Sequence, residues 1–291
     1  MKIAVTGASG QLGRELVKQG CLPLQGRLMS ENLTSNIRAI KPDTIINCAA
    51  MTDVDGCEKE PLMAAAVNMG GVEYLNTHFN GHLIHISTDY VFDGQIGPYW
   101  VRADPNPINV YGWSKLGGEL IARRYKGPSL IVRTTILFSS TKNNFVAKIV
   151  AQLAEGKEVV LYNPDITGTP TYVPALASEI IRLAREEYTG LAHVAGKRVL
   201  SRLTFAAMIA EIFGHDLDMI TPVEGTPPGA RRPKNAGLIC DHTGYKQINS
   251  HDPIDGLYEL STQKGAFHER PMEKVEAGRS GSDKSDSLGS S

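Results

Sequence analysis

Two short stretches of the sequence carry side chains that could reduce a ketone. In "HISTDYVFDG" an apolar run ends in Thr88 and Asp89, and in "YGWSK" Tyr111 and Lys115 stand four residues apart, so on a helix they share one face. A hydroxyl that binds a carbonyl oxygen, a phenol that protonates it and an ammonium group beside the phenol suit carbonyl reduction, because the cation should lower the phenol pKa from about 10. The alternative is a capped turn in which Asp89 accepts backbone N–H groups.

A glycine-rich loop near the start of the chain indicates a dinucleotide site. "TGASGQLG" places Gly7, Gly10 and Gly13 between a first apolar strand and a first helical pattern. Glycines let the backbone turn sharply and approach a pyrophosphate, and the N-terminus of the helix offers free N–H groups. A plain tight turn between strand and helix is the alternative interpretation.

The segment that follows the first helix lacks one expected feature of such a site. Pro23 and Gly26 argue against a central strand, and no acid ends this segment where one would bind the adenosine ribose. Glu31 could serve as that acid, or Arg14 or Arg27 could contact a 2′-phosphate. The sequence therefore does not choose between NADH and NADPH.

The elements that must position these residues alternate along the first half of the chain. The strands are predicted in "KIAVTG", "DTIINCAA", "HLIHIST" and "SLIVRTTIL", and the helices over residues 11–20, 58–79 and 111–125. Uniformly apolar strands separated by helices predict an α/β fold, a Rossmann-type doubly wound parallel sheet. Ligands of such sheets bind outside the carboxyl ends of the strands, where Thr88 and Asp89 stand.

The second half of the chain predicts a smaller, loop-rich lobe. Pro- and Gly-rich connections separate helices predicted over 143–155, 174–187 and 202–213. We therefore predict a Rossmann domain over residues 1–140, completed by parts of the later chain, and a mainly substrate-binding lobe over 141–270. Residues 271–291 contain too few apolar side chains to bury a core and are predicted to be a disordered tail.

The bulk composition excludes several classes of function. The chain has 291 residues, is 42% hydrophobic and carries a net charge of −1, so it has no basic surface for nucleic acid. Its four cysteines and eight histidines show no metal-ligand spacing. Without a signal-peptide core or an apolar run of about 20 residues, we expect a cytoplasmic protein with no membrane partner and no metal. A homodimer is left open.

The same residues resemble a known family. "GASGQLG", "PDTIINCAAMTDVDGCE", "AVNMGG", "ISTDYVFDG", "NVYGWSKLGGE", "NNFVAKIV", "GTPTYVPALA" and "RRPKN" stand in the order seen in dTDP-4-dehydrorhamnose reductases. That family belongs to the extended short-chain dehydrogenase/reductase superfamily. The resemblance covers roughly residues 1–240 and is densest in the first 175.

The resemblance implies roles for individual residues. Tyr111 would be the proton donor, Lys115 would tune it and bind the nicotinamide ribose, and Thr88 would polarise the substrate carbonyl. NADPH or NADH would contact Gly7, Gly10, Gln11, Leu12, Gly13, Ala50, Met51, Thr52, Tyr111 and Lys115. The nucleotide sugar would contact Thr88, Asp89, Asn144 and Arg232, and Asn68 would support the site from a helix.

By this resemblance, the expected reaction is reduction of the 4-keto group of a nucleotide-linked 6-deoxyhexose. The implied substrate is dTDP-4-dehydro-L-rhamnose, and the product dTDP-L-rhamnose serves surface polysaccharide synthesis. Alternatives are a related epimerase or 4-ketoreductase, and a non-catalytic NADP-binding regulatory subunit similar to that of methionine adenosyltransferase. A 4,6-dehydratase is disfavoured because Tyr90, not a second acid, follows Asp89.

The chain departs from the family pattern at two positions and in the shortened segment over residues 20–33, which weakens the expected adenosine pocket. Ile136 stands where an aromatic residue is common, and Ile166 stands where glutamine is usual. Both positions bear on which sugar is bound.

Overall fold

A six-stranded parallel sheet forms the centre of the computed structural model, which describes residues 1–141, 144–225, 229–240 and 248–263. The strands are β1 (Ile3–Thr6), β2 (Leu22–Pro23), β3 (Thr44–Asn47), β4 (His82–Thr88), β5 (Ser129–Thr134), β6 (Leu137–Phe138), β7 (Val159–Tyr162), β8 (Thr167–Gly168), β9 (Thr171–Tyr172), β10 (Gly190–His193), β11 (Leu200–Ser201) and β12 (Ile220–Val223). The tail predicted over 271–291 lies outside the described residues.

The order of the strands creates a binding crevice. The central sheet runs β2-β1-β3-β4-β5-β10 with every neighbouring pair parallel. The order reverses between β1 and β3, and α/β sheets bind ligands at the carboxyl ends beside such a reversal. The predicted Rossmann-type fold is confirmed.

The helices flank this sheet and extend beyond it. They are α1 (Gln11–Lys18), α2 (Glu31–Ile40), α3 (Val54–Lys59), α4 (Pro61–Ala65), α5 (Gly71–His78), α6 (Val110–Ala122), α7 (Phe145–Ala154), α8 (Val173–Arg185), α9 (Arg202–Ile212) and α10 (Pro253–Thr262). Helices α6 to α9 occupy the segments that helical spacing predicted, with ends shifted by no more than three residues.

The single helix predicted over 58–79 is wrong, and the break has a local cause. Glu60 precedes Pro61, whose ring disfavours helical backbone in the residue before it, and Glu60 accordingly has φ −127° and ψ 60°. Helix α3 therefore ends at Lys59 and α4 begins at Pro61. A π-helical turn, Ala66–Gly70, then links α4 to α5, and such turns are frequent at functional sites.

The short second strand lies at the edge of the sheet, as Pro23 requires. Pro23 pairs with Val5, and an edge strand tolerates a residue that has no N–H to donate. The backbone N–H of Leu24 still donates to the Val5 carbonyl at 2.9 Å. The residues after Leu24 therefore lie beside the glycine loop that follows β1.

The two largest of five apolar clusters contain most of the buried side chains that hold the helices in place. One joins the central sheet to α1 and α8 through Val5, Ile84, Val132, Leu16 and Ile180, among others. The other joins α7, α9, α10 and β7 through buried residues such as Phe138, Phe205 and Leu257. Helix α8 and strand β10, from the second half of the chain, pack in the first cluster. The domain boundary predicted at residue 140 stays a prediction.

Two properties of the described part of the chain concern metal binding and membrane insertion. No group of three or more His, Cys, Asp or Glu side chains within it could hold a metal ion, and no helix within it has the length and apolar character to span a bilayer. The cysteines Cys21, Cys48, Cys57 and Cys240 are free thiols. Packing and buried polar contacts, not disulfides, therefore stabilise the fold.

A buried ion pair connects α6 to the central sheet. Glu119 of α6 accepts two hydrogen bonds from Arg133 of β5, from Nε at 2.8 Å and from Nη2 at 2.7 Å, and a third from Ser87 Oγ of β4 at 2.6 Å. All three side chains are buried. Bidentate geometry favours such a pair, and it holds the helix that carries "YGWSK" against the strand that ends in Thr88.

We predict that Glu119→Ala lowers the free energy of unfolding by about 3–5 kcal/mol, because it leaves the Arg133 guanidinium buried without a counter-charge. Urea denaturation measures this change. As a control, Arg198→Ala breaks an ion pair with Asp252 whose arginine side chain is 50% exposed, and it should cost no more than about 1 kcal/mol. Equal losses in the two variants would contradict the role of the buried pair.

Candidate active site

A cleft of about 430 Å³, the main cleft, opens at the carboxyl ends of β1, β3, β4 and β5. It is lined by Gly10, Gln11, Leu12, Gly13, Cys48, Ala50, Thr52, Val54, Ile86, Ser87, Thr88, Asp89, Tyr90, Tyr111, Lys115, Thr134, Thr135, Ile136 and Leu137. The fold thus brings the glycine loop and the polar end of β4 to one site. Gly7 and Met51, two further predicted cofactor contacts, are not among the lining residues.

The glycine loop is shaped by close backbone contacts. Gly7 has φ +66°, and its carbonyl accepts the N–H of Gly10 at 2.9 Å. A Cβ on Gly7 would lie 2.7 Å from the Ala49 nitrogen, and one on Gly13 would lie 2.2 Å from the Gly7 oxygen. Gly10, the N-cap of α1, has no side chain to engage the first N–H groups of the helix, so the loop presents bare backbone donors of the kind that bind a diphosphate.

Asn68 joins the segment after β3 to α6. Its Oδ1 accepts the Met51 N–H at 2.8 Å, and its Nδ2 donates to the Met51 carbonyl at 3.1 Å and to Ser114 Oγ at 2.8 Å. Both hydrogen-bonding groups of the Met51 backbone are therefore occupied by one side chain from the π-helical turn. This contact fixes the backbone on either side of Met51, where Ala50 and Thr52 face the main cleft.

The residues at the end of β4 form a buried chain of hydrogen bonds. The Thr88 hydroxyl donates to Asp89 Oδ1 at 2.9 Å and accepts the Tyr90 N–H at 3.2 Å, and its interaction with the buried Tyr111 phenol lowers the Tyr111 pKa. Thr135, one residue beyond β5, donates its hydroxyl to Asp89 Oδ2 at 2.6 Å. Asp89 therefore orients the hydroxyl groups of Thr88 and Thr135. Thr88 and Tyr111 both line the main cleft.

Burial decides the protonation of Asp89. Desolvation raises its pKa to about 6, although the hydrogen bonds from Thr135 and Thr88 act in the opposite direction. The carboxyl group is therefore ionised at neutral pH but takes up a proton under mildly acidic conditions.

Burial, not the neighbouring cation, also sets the Tyr111 pKa. Desolvation raises this pKa above its ordinary value, and the hydrogen bond with Thr88 offsets only part of the shift. Lys115 donates from Nζ to the Ile86 carbonyl at 2.6 Å, and desolvation lowers its own pKa to about 8. The expected lowering of the Tyr111 pKa is therefore wrong, but a protonated phenol is the form that a proton donor needs.

The sequence around Tyr111 explains why its helix begins there. Asn109 caps α6 by accepting the Gly112 N–H at 2.7 Å, and its Nδ2 donates to the Arg231 carbonyl at 2.7 Å. A Cβ on Gly112 would lie 2.2 Å from the Tyr90 carbonyl oxygen. Only glycine lets α6 approach the Tyr90 backbone this closely, and this approach brings the Tyr111 phenol to Thr88.

A smaller cavity of about 170 Å³, the side cavity, adjoins the main cleft and shares Asp89, Tyr90 and Ile136 with it. Its other lining residues are Phe145, Ile166, Thr167, Pro170, Leu200, Ser201, Arg202, Phe205, Arg232, Pro233 and Ala236. The wall is mostly apolar but includes two arginines. The two cavities together form a continuous site with a polar and an apolar part.

Arg232 lies in the side cavity and is held by a carboxylate from the first half of the chain. Its Nη2 and Nη1 donate to Asp55 Oδ2 and Oδ1 at 2.8 and 3.3 Å. The hydrogen bond from Arg232 lowers the Asp55 pKa, as does the N–H of Ala230. The predicted substrate-binding arginine thus faces the same site as Thr88 and Asp89.

Asn144, in contrast, is not brought to either cavity. It is the buried N-cap of α7: Oδ1 accepts the Ala147 N–H at 3.0 Å, and Nδ2 donates to the carbonyls of Ser139 and Thr141 at 3.0 and 2.6 Å. Because every donor and acceptor of the amide is engaged, the side chain stabilises a helix end. Its position does not support the substrate contact that the resemblance implied.

The three candidates for the adenosine ribose lie outside the main cleft. Glu31, Arg14 and Arg27 are all exposed, and Arg14 donates from Nε to the Ser9 carbonyl at 2.7 Å. The described structure therefore leaves the choice between NADH and NADPH open.

Three residues of the site were missed by reasoning from the sequence. Tyr90 lines both cavities and packs edge-to-face on Tyr111 with ring centroids 5.5 Å apart. Thr135 follows β5 as Asp89 follows β4, and the pairing of Thr88 with Thr134 makes these strand ends neighbours, which the strand pattern alone could have indicated. Asp55 contacts Arg232 of the distant "RRP" segment, and no pattern in the sequence indicates this contact.

Comparison with known proteins gives one consistent result. The protein-family model described as the RmlD substrate binding domain matches residues 1–251. The dTDP-4-dehydrorhamnose reductase of Mycobacterium tuberculosis is 36% identical over 242 residues, which are 76% of this chain and 79% of that protein.

Solved structures agree with this finding. The crystal structure of a dTDP-4-dehydrorhamnose reductase from Clostridium acetobutylicum is 32% identical with a TM-score of 0.80, and the similarity covers 89% of this chain and 98% of that one. A reductase of the same name from Bacillus anthracis, in complex with NADP, is 29% identical with the same TM-score and the same coverage.

We predict that Asp89→Asn removes a pH dependence of stability. Since burial raises the Asp89 pKa to about 6, the folded state binds more protons than the unfolded state between about pH 4 and pH 6. The free energy of unfolding should therefore fall by about 2–3 kcal/mol as the pH rises through this window, and only in the protein that retains Asp89.

Urea denaturation at several pH values checks this prediction. Asp93→Asn is the matched control, because hydrogen bonds from Tyr99 and the Gln95 N–H lower the Asp93 pKa. Asp93 should contribute stability at neutral pH that is lost as the pH falls, which is the opposite sign. A wild-type slope between pH 4 and 6 that is unchanged in Asp89→Asn would show that Asp89 keeps an ordinary pKa.

Proposed function

The chain belongs to the RmlD substrate binding domain family, and we propose that it is a reductase that converts the 4-keto group of a nucleotide-linked 6-deoxyhexose to an alcohol with NADPH or NADH. The proposed substrate is dTDP-4-dehydro-L-rhamnose, in agreement with the activity for which its relatives are named. One observation carries the proposal: Thr88, Tyr111 and Lys115 line one cleft together with the glycine loop.

The main cleft suits a nicotinamide dinucleotide. The bare N–H groups at the start of α1 fit a diphosphate, and Ala50 and Thr52 would line the wall beside it. Lys115 uses one N–H on the Ile86 carbonyl, which leaves two donors for ribose hydroxyls. The bound cofactor supplies the hydride that the carbonyl carbon receives.

Tyr111 and Thr88 act on the carbonyl oxygen. The O–H bond of Tyr111 breaks as its proton passes to the oxygen, and the phenolate that remains lies in the cleft that Lys115 also lines. For Thr88 to donate to the carbonyl, its hydroxyl turns from Asp89 towards the substrate. Each donor aimed at developing negative charge contributes about 3–4 kcal/mol to transition-state stabilisation in well-studied sites.

The side cavity, where it meets the main cleft at Asp89, Tyr90 and Ile136, suits the sugar. The two departures from the family pattern, Ile136 and Ile166, both lie on its wall and give it apolar surface beside Asp89. Ile136 has φ +42°, a left-handed conformation that is costly for a β-branched residue, and its carbonyl is held by the Thr171 N–H at 3.0 Å. A wall of this kind favours a 6-methyl group over a 6-hydroxyl, which would be buried without a partner.

We predict that Tyr111→Phe reduces kcat by about 10²–10⁴-fold, because the proton donor is lost, while the affinity for NADPH changes little. Turnover is followed at the nicotinamide absorbance, and binding by fluorescence titration. Tyr258→Phe is the matched control, since this tyrosine is 57% exposed on α10 and should leave both quantities unchanged. Retained turnover in Tyr111→Phe would remove the role assigned to the phenol.

The reductase activity itself is tested with NADPH and a panel of 4-keto nucleotide sugars. We expect consumption of NADPH with dTDP-4-dehydro-L-rhamnose and formation of the 4-hydroxy product, checked by mass spectrometry. Tight cofactor binding without turnover on any member of the panel would contradict the proposal and favour the regulatory-subunit alternative.

A further inference from the structure

We propose that Arg202 binds the diphosphate of the nucleotide sugar together with Arg232. This inference rests on the proposed function and names a substrate contact that neither the sequence motifs nor the family pattern indicated. Arg202 is the first residue of α9, and its guanidinium lines the side cavity.

Neighbouring groups hold Arg202 in place without neutralising it. Its Nη1 donates to the Tyr162 carbonyl at 3.1 Å, and its Cζ lies 5.6 Å from the centroid of the Phe145 ring. Among the described residues no carboxylate forms an ion pair with it. Its Nε and Nη2 therefore remain as donors, in a half-buried position against aromatic side chains.

The charge balance of the side cavity is consistent with an anionic ligand. Arg232 is neutralised by Asp55 through two hydrogen bonds, but Arg202 has no such partner in the part of the chain that the structure describes. Arg202 and Arg232 line the same cavity, and desolvation lowers the Arg202 pKa, opposed by Tyr90 and assisted by the positive charge of Arg232. Asp89 also lines the cavity, but Thr88 and Thr135 engage its two oxygens. Arg202 is therefore the guanidinium group of this cavity that is not paired with a carboxylate among the described residues, and an anionic ligand would supply charge-assisted hydrogen bonds to it.

The position of Arg202 fits a diphosphate in particular. The side cavity joins the main cleft through Asp89, Tyr90 and Ile136, so a group bound there is adjacent to the sugar whose keto group faces Thr88 and Tyr111. In a nucleotide sugar, the diphosphate is the charged group attached directly to the sugar ring. Guanidinium groups bind phosphate through paired, charge-assisted hydrogen bonds, and two of them match a group with two phosphates.

The test compares Arg202→Gln, Arg202→Lys and the control Arg198→Gln, whose arginine lies on an exposed ion pair outside both cavities. Calorimetry gives the Kd for dTDP, and competition gives the Kd for uncharged thymidine. We expect Arg202→Gln to weaken dTDP binding about tenfold or more, because charge-assisted hydrogen bonds are lost, and to leave thymidine binding unchanged. In turnover assays KM should rise more than kcat falls.

Arg202→Lys should restore part of the dTDP affinity, because it keeps the charge but not the planar fork of donors. It also provides the comparison if Arg202→Gln does not fold. Unchanged dTDP affinity in the variants would overturn the proposal, as would an equal loss of dTDP and thymidine affinity, which indicates a structural role. Selective loss of dTDP affinity supports it even if the wild type reduces no 4-keto sugar, an outcome that would refute only the reductase function.

Discussion

The buried contact of Glu119 with Arg133 and Ser87 is the constraint on which the rest of the site depends. It is formed by three elements, α6, β4 and β5, and it can form in only one position of the helix on the sheet. Removing two charges from water is costly, so the net stabilisation from such a pair is small even when its geometry is good. We interpret its main effect as positional, because a shift of α6 by one residue would leave both charges buried and unpaired.

The position of α6 on the sheet determines the distances between the groups that we propose to react. The phenol and the amine are carried by the helix, and the threonine hydroxyl is carried by the strand beneath it, so their separation depends on how the two elements pack. Three further contacts position α6. Asn109 caps the helix, and Gly112 lets it approach the Tyr90 backbone. Asn68 connects it to the segment after β3 through Ser114. The polar groups of the site are thus held by contacts outside it, and the cleft itself stays open for ligands.

The main cleft and the side cavity contain different kinds of residues. The main cleft contains the groups that match the reductase family, and their low exposure raises the pKa values of Asp89 and Tyr111 while it lowers that of Lys115. The side cavity contains the residues in which this chain differs, with two isoleucines on an apolar wall. We therefore infer that the reaction type depends on the packing at the ends of β4 and β5, and that the choice of sugar depends on the walls that the second half of the chain supplies.

The sequence by itself determined the parallel sheet, helices α6 to α9 and the shared face of Tyr111 and Lys115. These features follow from local periodicity, which the side chains of each segment express without help from the rest of the chain. It also placed Thr88 and Asp89 at a strand end, where a doubly wound sheet binds ligands. From Pro23 and Gly26 the sequence also argued against a central strand in the segment after α1, and the edge position of β2 agrees with this.

Only the tertiary structure decided the remaining features. The π-helical turn that carries Asn68, the pairing of Asp55 with Arg232 and the use of Asn144 as a helix cap all depend on partners distant in sequence or on backbone that periodicity does not describe. The Tyr111 pKa depends on how much water the folded cleft excludes, and the sequence around the phenol indicated only the nearby cation. Burial is a property of the assembled chain, and for that reason the electrostatics of the site could not be derived from spacing alone.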